Sequence, residues 1–191
     1  LFSAIDMPLN LVTAGISEVG TAKISLQSPY GKFAQSCMRG TVQQPCLNCW
    51  KCFRKKLLEQ TLKGHQFNSE ELDQLFKIKE AQNTITKIPI KHENVLTYIT
   101  SFYNGNHKIM NTLKKKVRGD IKEVSWMEKW YGKSINLIHP KYRDDVVNKI
   151  EKLLGRMNEY EESQLENWDL HLAIETDSYK KYSEQLIHQL K

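Results

Sequence analysis

At 191 residues, with 40% hydrophobic and 26% charged residues, the chain is long enough to bury a sizeable core and suits one domain, or one domain with an appendage. No apolar run approaches the ~18 residues of a membrane-spanning helix, and the opening LFSAIDMPLNLV has neither the basic nor the apolar region of a secretory signal. The composition therefore predicts a cytoplasmic protein with no membrane partner, and the formal net charge of +6 permits an anionic partner without establishing one.

Residues 1–35 contain Pro8, Gly15, Gly20, Pro29 and Gly31 and read as loops, with a strand near Leu9–Thr13 or Lys23–Leu26. All the cysteines follow in one window, SCMRGTVQQPCLNCWKC, residues 36–52. A helix then starts near Phe53 with Leu57, Leu58 and Leu62 as its stripe and Gly64 as its stop. Asn68-Ser69-Glu70-Glu71 opens the next, with Leu72, Leu75, Phe76 and Ile78 as its apolar set. Another runs from about Glu93, placing Val95, Ile99 and Phe102 on one face, and Gly105 closes it. Pro140 suits a first helical turn ahead of Val146, Ile150, Leu153, Leu154 and Met157, and Tyr179, Tyr182, Leu186 and Leu190 repeat the pattern at the end. The expected fold is mainly α, a metal-bearing module over residues 1–66 followed by a helical extension or bundle over residues 67–191.

Charge is patchy. Basic residues cluster at Lys51, Arg54, Lys55 and Lys56 and again at Lys114, Lys115, Lys116 and Arg118. An acidic run holds Glu159, Glu161, Glu162, Glu166 and Asp169. Each patch is expected to be mostly a solvated helix face.

The cysteines follow C-x8-C-x2-C-x2-C, with Cys37, Cys46, Cys49 and Cys52 as candidate metal ligands. Disulfides fit poorly, because closing such tiny loops does little for a chain of this size. An iron–sulfur cluster is a better candidate, although Cys52 is followed by Phe53 and not by the proline of the bacterial ferredoxin run. Structural zinc fits best, since two ligands separated by two residues wrap one tetrahedral ion in a tight knuckle. Cys46, Cys49 and Cys52 cannot share one face of a regular helix, so the knuckle is expected to be non-helical, with Pro45 starting its turn and Cys52 opening the helix beyond. Arg39, Lys51, Arg54, Lys55 and Lys56 would offset the negative charge of such a site or hold a phosphate backbone, and Trp50 would shield the metal.

Other motifs are incomplete. Gly15–Gly20 has the glycine spacing of a phosphate-binding loop but continues Thr21-Ala22 without the lysine, and Gly132-Lys133-Ser134 has Met127 where the upstream glycine belongs. His65 is at most a spare ligand, His139 precedes Pro140 and suits a helix cap, and Trp126 and Trp130 are expected in the core. No catalytic residue is identifiable.

The stretch SCMRGTVQQPCLNCWKCFRK resembles the zinc segment near the C-terminus of the 7-cyano-7-deazaguanine synthases, the QueC-like branch of the PP-loop ATP pyrophosphatases. The matching positions are Ser36-Cys37, Gly40, Pro45-Cys46, Cys49, Cys52 and Arg54, within residues 30–60. The resemblance implies zinc on Cys37, Cys46, Cys49 and Cys52, and the end of an α/β PP-loop domain over residues 1–66. For the complete protein it implies ATP-dependent activation and amidation of a carboxylate, a C–N ligase-like reaction on a small-molecule substrate. The pattern also departs from that family. Gln35 and Met38 stand where aromatic residues are usual, Leu47 replaces a glycine, and the Ser-Gly-Gly-x-Asp-Ser loop that holds ATP is not among the 191 residues. The chain also continues far beyond its last cysteine. The expectation is the C-terminal part of a larger protein, with ATP bound only in the complete one.

Two readings from other classes stand beside it. A zinc-stapled module flanked by basic residues would bind nucleic acid or a protein partner, provided that the Lys51–Lys56 and Lys114–Arg118 patches share a surface. A structural scaffold would use its helical tail to form a homo-oligomer.

Overall fold

The computed structural model describes residues 10–190. Its elements are α1 (Glu18–Gln27), α2 (Trp50–Leu62), α3 (Ser69–Phe76), α4 (Lys79–Ile85), α5 (Glu93–Ser101), α6 (Lys108–Lys116), α7 (Pro140–Leu154), α8 (Glu159–Glu166), α9 (Leu170–Ile174) and α10 (Asp177–Leu190), with short 3₁₀ turns between them. The fold is mainly α, and among the described residues extended pairing is limited to isolated bridges such as Ile16 with Trp130. No helix among the described residues is long and apolar enough to cross a membrane.

The chain forms two compact units, and each draws on distant segments: Leu1–Ser28 with Ser125–Trp168, and Pro29–Val124 with Asp169–Lys191. These units cross the expected boundary between residues 66 and 67, because Pro29–Val124 holds both the cysteine window and α3 to α6.

The first unit is built around Trp130. Ile150 and Leu154 of α7 pack on it, joined by the half-buried Ile16, Ile24, Ile135, Val146 and Val147. Backbone bonds fix its place, Trp130 N–H to Gly155 O at 3.0 Å and Met157 N–H to Trp130 O at 2.9 Å. The expected apolar face of α7 holds at Ile150 and Leu154, but Leu153 points outward. The expected strand at Lys23–Leu26 is instead part of α1. Ser17 starts that helix by accepting from Gly20 N–H at 3.0 Å, and Gly20 then lets α1 approach α7, since a Cβ there would lie 3.3 Å from Leu154 Cδ1. The proposed strand Leu9–Thr13 is irregular at residues 10 and 11 and a turn at residues 12 and 13, while Leu9 lies outside the described residues. Asn158 and Glu161 form a capping box that opens α8.

In the second unit α5 is the central helix: Val95 through Thr100 are all buried, with α2 on one side and α6 on another, and α10 lies along α6. Asn68 and Glu71 make the expected capping box of α3. Leu72 and Phe76 are buried on α3, and Ile78, also buried, lies past its end at the N-cap position of α4. Phe102 was expected on the buried face of α5 and is exposed at the helix end. Tyr179 and Leu186 carry the buried face of α10.

One basic patch is corrected by this packing. Lys116 is not solvated but fully buried, where its ammonium donates to Ile85 O at 2.8 Å and Lys87 O at 3.0 Å and lies 5.2 Å from the centre of the Tyr179 ring. Lys114 likewise donates to Tyr103 O at 2.7 Å. Beside Lys116, the Tyr179 hydroxyl donates to the buried Glu93 carboxylate. Burial holds the Glu93 carboxyl above its usual range, against the opposing pull of Tyr179 and Lys116. Burial also lowers Lys116 from 10.5 to about 8, with the Glu93 charge acting the other way.

This buried cluster gives two expectations. Tyr179→Phe keeps the ring and removes one hydrogen bond to a buried acid, so unfolding in urea should shift to a lower midpoint at unchanged slope, a loss of about 1.5–3 kcal/mol. Between pH 8 and 10.5 the unfolded chain keeps the Lys116 proton that the folded chain has released. The contribution of Lys116 to stability therefore rises with pH across that window and is least below it. Urea midpoints measured across the window should rise more steeply in the parent than in Lys116→Met.

Candidate metal centre

The cysteine window folds as the sequence demands of a knuckle. Residues 36–49 form no helix, Thr41 and Gln44 pair across a tight turn, and α2 begins immediately after Cys49. Gly40 permits the turn, because a Cβ there would lie 1.9 Å from Gln44 O. Gln43 (φ 62°) and Leu47 (φ 54°) adopt the left-handed region, which bulky side chains rarely enter. Cys49 caps α2, its sulfur accepting from Cys52 N–H at 3.4 Å. Cys52 therefore sits in the first helical turn, and the other three thiols approach it from the loop.

The four sulfurs lie within 4.8 Å of one another. Cys37 and Cys46 sulfurs are 3.5 Å apart and those of Cys46 and Cys52 3.8 Å apart. Ligand bonds of about 2.3 Å to a tetrahedral ion require edges of ~3.8 Å, so the set fits one four-coordinate metal with little movement. Cys37, Cys49 and Cys52 are buried, and Cys46 is partly so. All four are free thiols, and no disulfide joins them.

The electrostatics of the group suit a cation. Backbone N–H groups of Cys46 and Arg39 bond to the Cys37 sulfur and lower its pKa to about 6. Cys52 is pushed up to about 12, first by burial and then by the neighbouring thiols. Asn48 N–H favours the Cys46 thiolate, but burial with Cys37 and Cys49 outweighs it and the net shift is upward. Cys37 thus ionises readily while Cys46 and Cys52 resist, and a divalent ion would offset the accumulated charge.

The residues expected around the centre have separate fates. Arg39 is bonded to Glu80 of α4, tying the loop to the helices. Arg54 is buried 5.9 Å from the centre of the Trp50 ring. Trp50 stacks on Phe53 with centroids 5.5 Å apart, so it roots α2 and presents no face for a base. Lys51 and Lys56 are exposed and Lys55 half-buried. His65 is taken up by Glu71 at 3.0 Å and is not brought to the sulfurs. His139 does cap α7, accepting from Lys141 N–H at 3.2 Å. Trp126 and Trp130 are both buried, as expected.

Sequence reading missed the cleft beside the centre. It encloses about 490 Å³, with Cys37 and Cys52 in its lining together with Lys32, Lys55 and Lys56 and the apolar Phe33, Pro45 and Leu47. The only acid in that lining, Glu59, is bonded to Lys63 at 2.5 Å. The available signal was the exposed Phe33 and Leu47 on either side of the first two cysteines.

Metal binding should release protons, at least those of Cys46 and Cys52, so affinity should rise with pH through the neutral range. Calorimetric titration of the metal-free chain in buffers of different ionisation enthalpy should give an apparent enthalpy that changes with the buffer. Cys52→Ser should reduce both the affinity and the released protons.

No curated protein and no solved structure matches the chain. A family model, described as a family of unknown function (DUF6395), matches residues 1–169, and the chain belongs to that family.

Proposed function

We propose that Cys37, Cys46, Cys49 and Cys52 hold zinc as a closed structural centre, and that the module so stapled binds an anionic ligand in the adjacent cleft. The observation that carries this reading is that Cys37 and Cys52, two of the four clustered cysteines, line one cavity together with three lysines. Four thiolates leave no position for water or substrate, so the metal supplies folding energy and not catalysis. It would tie the loop that carries Cys37 and Cys46 to the start of α2, and the cleft is lined by residues 32–37, by parts of that loop and by α2 as far as Glu59. Lys32, Lys55 and Lys56 then supply attraction for a ligand that the apolar residues partly enclose.

By its resemblance to the deazaguanine synthases over residues 30–60, the complete protein would activate a carboxylate with ATP, and an anion-binding cleft suits such a substrate. Release of AMP and pyrophosphate by the complete protein would support that extension. The nucleic-acid reading retains one observation, the exposed Phe33 ring with Lys32 5.0 Å from its centre. Burial of Arg54 and Lys116 removes two of the cations on which its two-patch form relied.

Elemental analysis should return one zinc per chain, with no broad visible absorption; iron, sulfide and a brown colour would replace zinc by a cluster. In amide spectra, added citrate or tripolyphosphate should shift resonances around Lys32, Lys55 and Lys56, and removal of the metal should abolish the effect. No shift in the zinc-loaded protein would overturn the cleft reading.

A further inference from the structure

Resting on that reading of the cleft, we propose that its occupant is an acidic segment of a protein partner that inserts an apolar side chain against Leu47 and Phe33. The starting point is the cost of Leu47. It lies in the left-handed region at φ 54°, where glycine or asparagine is accommodated with less strain. Its side chain does not repay that cost by packing, since it is 66% exposed. A residue that suits neither its backbone nor a core is placed to meet something outside the chain.

Its surroundings agree. Phe33 is 60% exposed in the same cleft, with Pro45 beside them in the lining, while Met38 and Val42 of the same loop are 89% and 88% exposed. These are large apolar side chains concentrated in one short stretch, and such concentrations mark sites of protein contact. Lys32, Lys55 and Lys56 border them and select a partner rich in carboxylates. The thiolate centre does not cancel this charge completely: three lysines face a zinc site of net −2, and backbone N–H groups already bond to its sulfurs. Aliphatic surface also separates the two macromolecular partners. Phe33 supplies a single ring. Leu47 and Pro45 in the cleft, and Met38 and Val42 elsewhere on the loop, are aliphatic and give a second base nothing to stack on, whereas an apolar anchor between acidic residues fits them.

The test uses the zinc-loaded full chain and a fluorescein-labelled peptide of glutamates with leucines at every third or fourth position, read by anisotropy. Controls are the same peptide with serine for each leucine, and a deoxythymidine oligomer. The leucine peptide should bind saturably, and about tenfold more tightly than the serine peptide, the share of one buried leucine. Leu47→Gly relieves the backbone, so it should retain zinc and melt at the same or a higher temperature, yet lose about tenfold in peptide affinity. Lys55→Glu with Lys56→Glu should weaken both peptides. Equal binding of the two peptides, or unchanged binding by Leu47→Gly, would overturn the proposal while shifts with citrate still upheld the cleft. Preferential binding of the oligomer would transfer the site to nucleic acid. Failure of peptides and citrate alike would remove the cleft reading itself.

Discussion

Everything in the cysteine window depends on the repulsion among four sulfurs gathered within 4.8 Å. Without a cation they cannot all ionise: Cys37 is biased toward thiolate by backbone donors, while burial and its neighbours hold Cys52 as a thiol. A divalent ion would convert that conflict into binding energy. Because three of the four candidate ligands lie on irregular backbone and one in the first turn of a helix, that energy would be delivered as loop order. In small zinc peptides it reaches on the order of 10–16 kcal/mol, more than a short loop could gain from its own side-chain contacts.

A second constraint acts in the same unit, away from the metal. Lys116, Glu93 and Tyr179 are buried together, and none is easy to bury alone. Two carbonyl oxygens, at Ile85 and Lys87, complete the shell of the ammonium, so that α6 is joined to the end of α4 through a charged group. Tyr179 joins α10 to the N-terminus of α5 in the same cluster. Removing one partner would strand the others in low dielectric, which makes the cluster specify one docking of α10 more strongly than apolar contact does.

The features legible in the sequence were those with a local cause. Asn68-Ser69-Glu70-Glu71 contains both halves of a capping box, Pro140 marks a helix start, and the cysteine spacing admits a single shared ion. What escaped depended on distant residues. α1 was hidden because Gly20 and Thr21 are poor helix formers, and its stripe is short; packing against α7 decides it. Lys116 sits in a run of lysines that reads as a solvated face, and only the carbonyls contributed by α4 and the segment after it reveal its burial. Arg39 showed charge but not its partner, Glu80, forty-one residues on. The division into two units was equally hidden, since each is assembled from segments far apart in the chain.

A metal in the proposed centre would help the loop to hold residues that destabilise an ordinary turn. Left-handed conformations at Gln43 and Leu47 cost on the order of 1–3 kcal/mol each, and exposed Met38, Val42 and Leu47 add no burial in return. Such conformations are not confined to this loop, since His92 (φ 60°) and Arg118 (φ 61°) adopt the same region. Four metal bonds would add to whatever else holds the cysteine loop, and its non-ligand positions would then be free to serve the surface they face. Gly40 remains under backbone control, for a Cβ there would strike Gln44 O. Leu47 meets no such obstacle, its side chain being 66% exposed. The proposed recognition surface rests on that difference between the two positions.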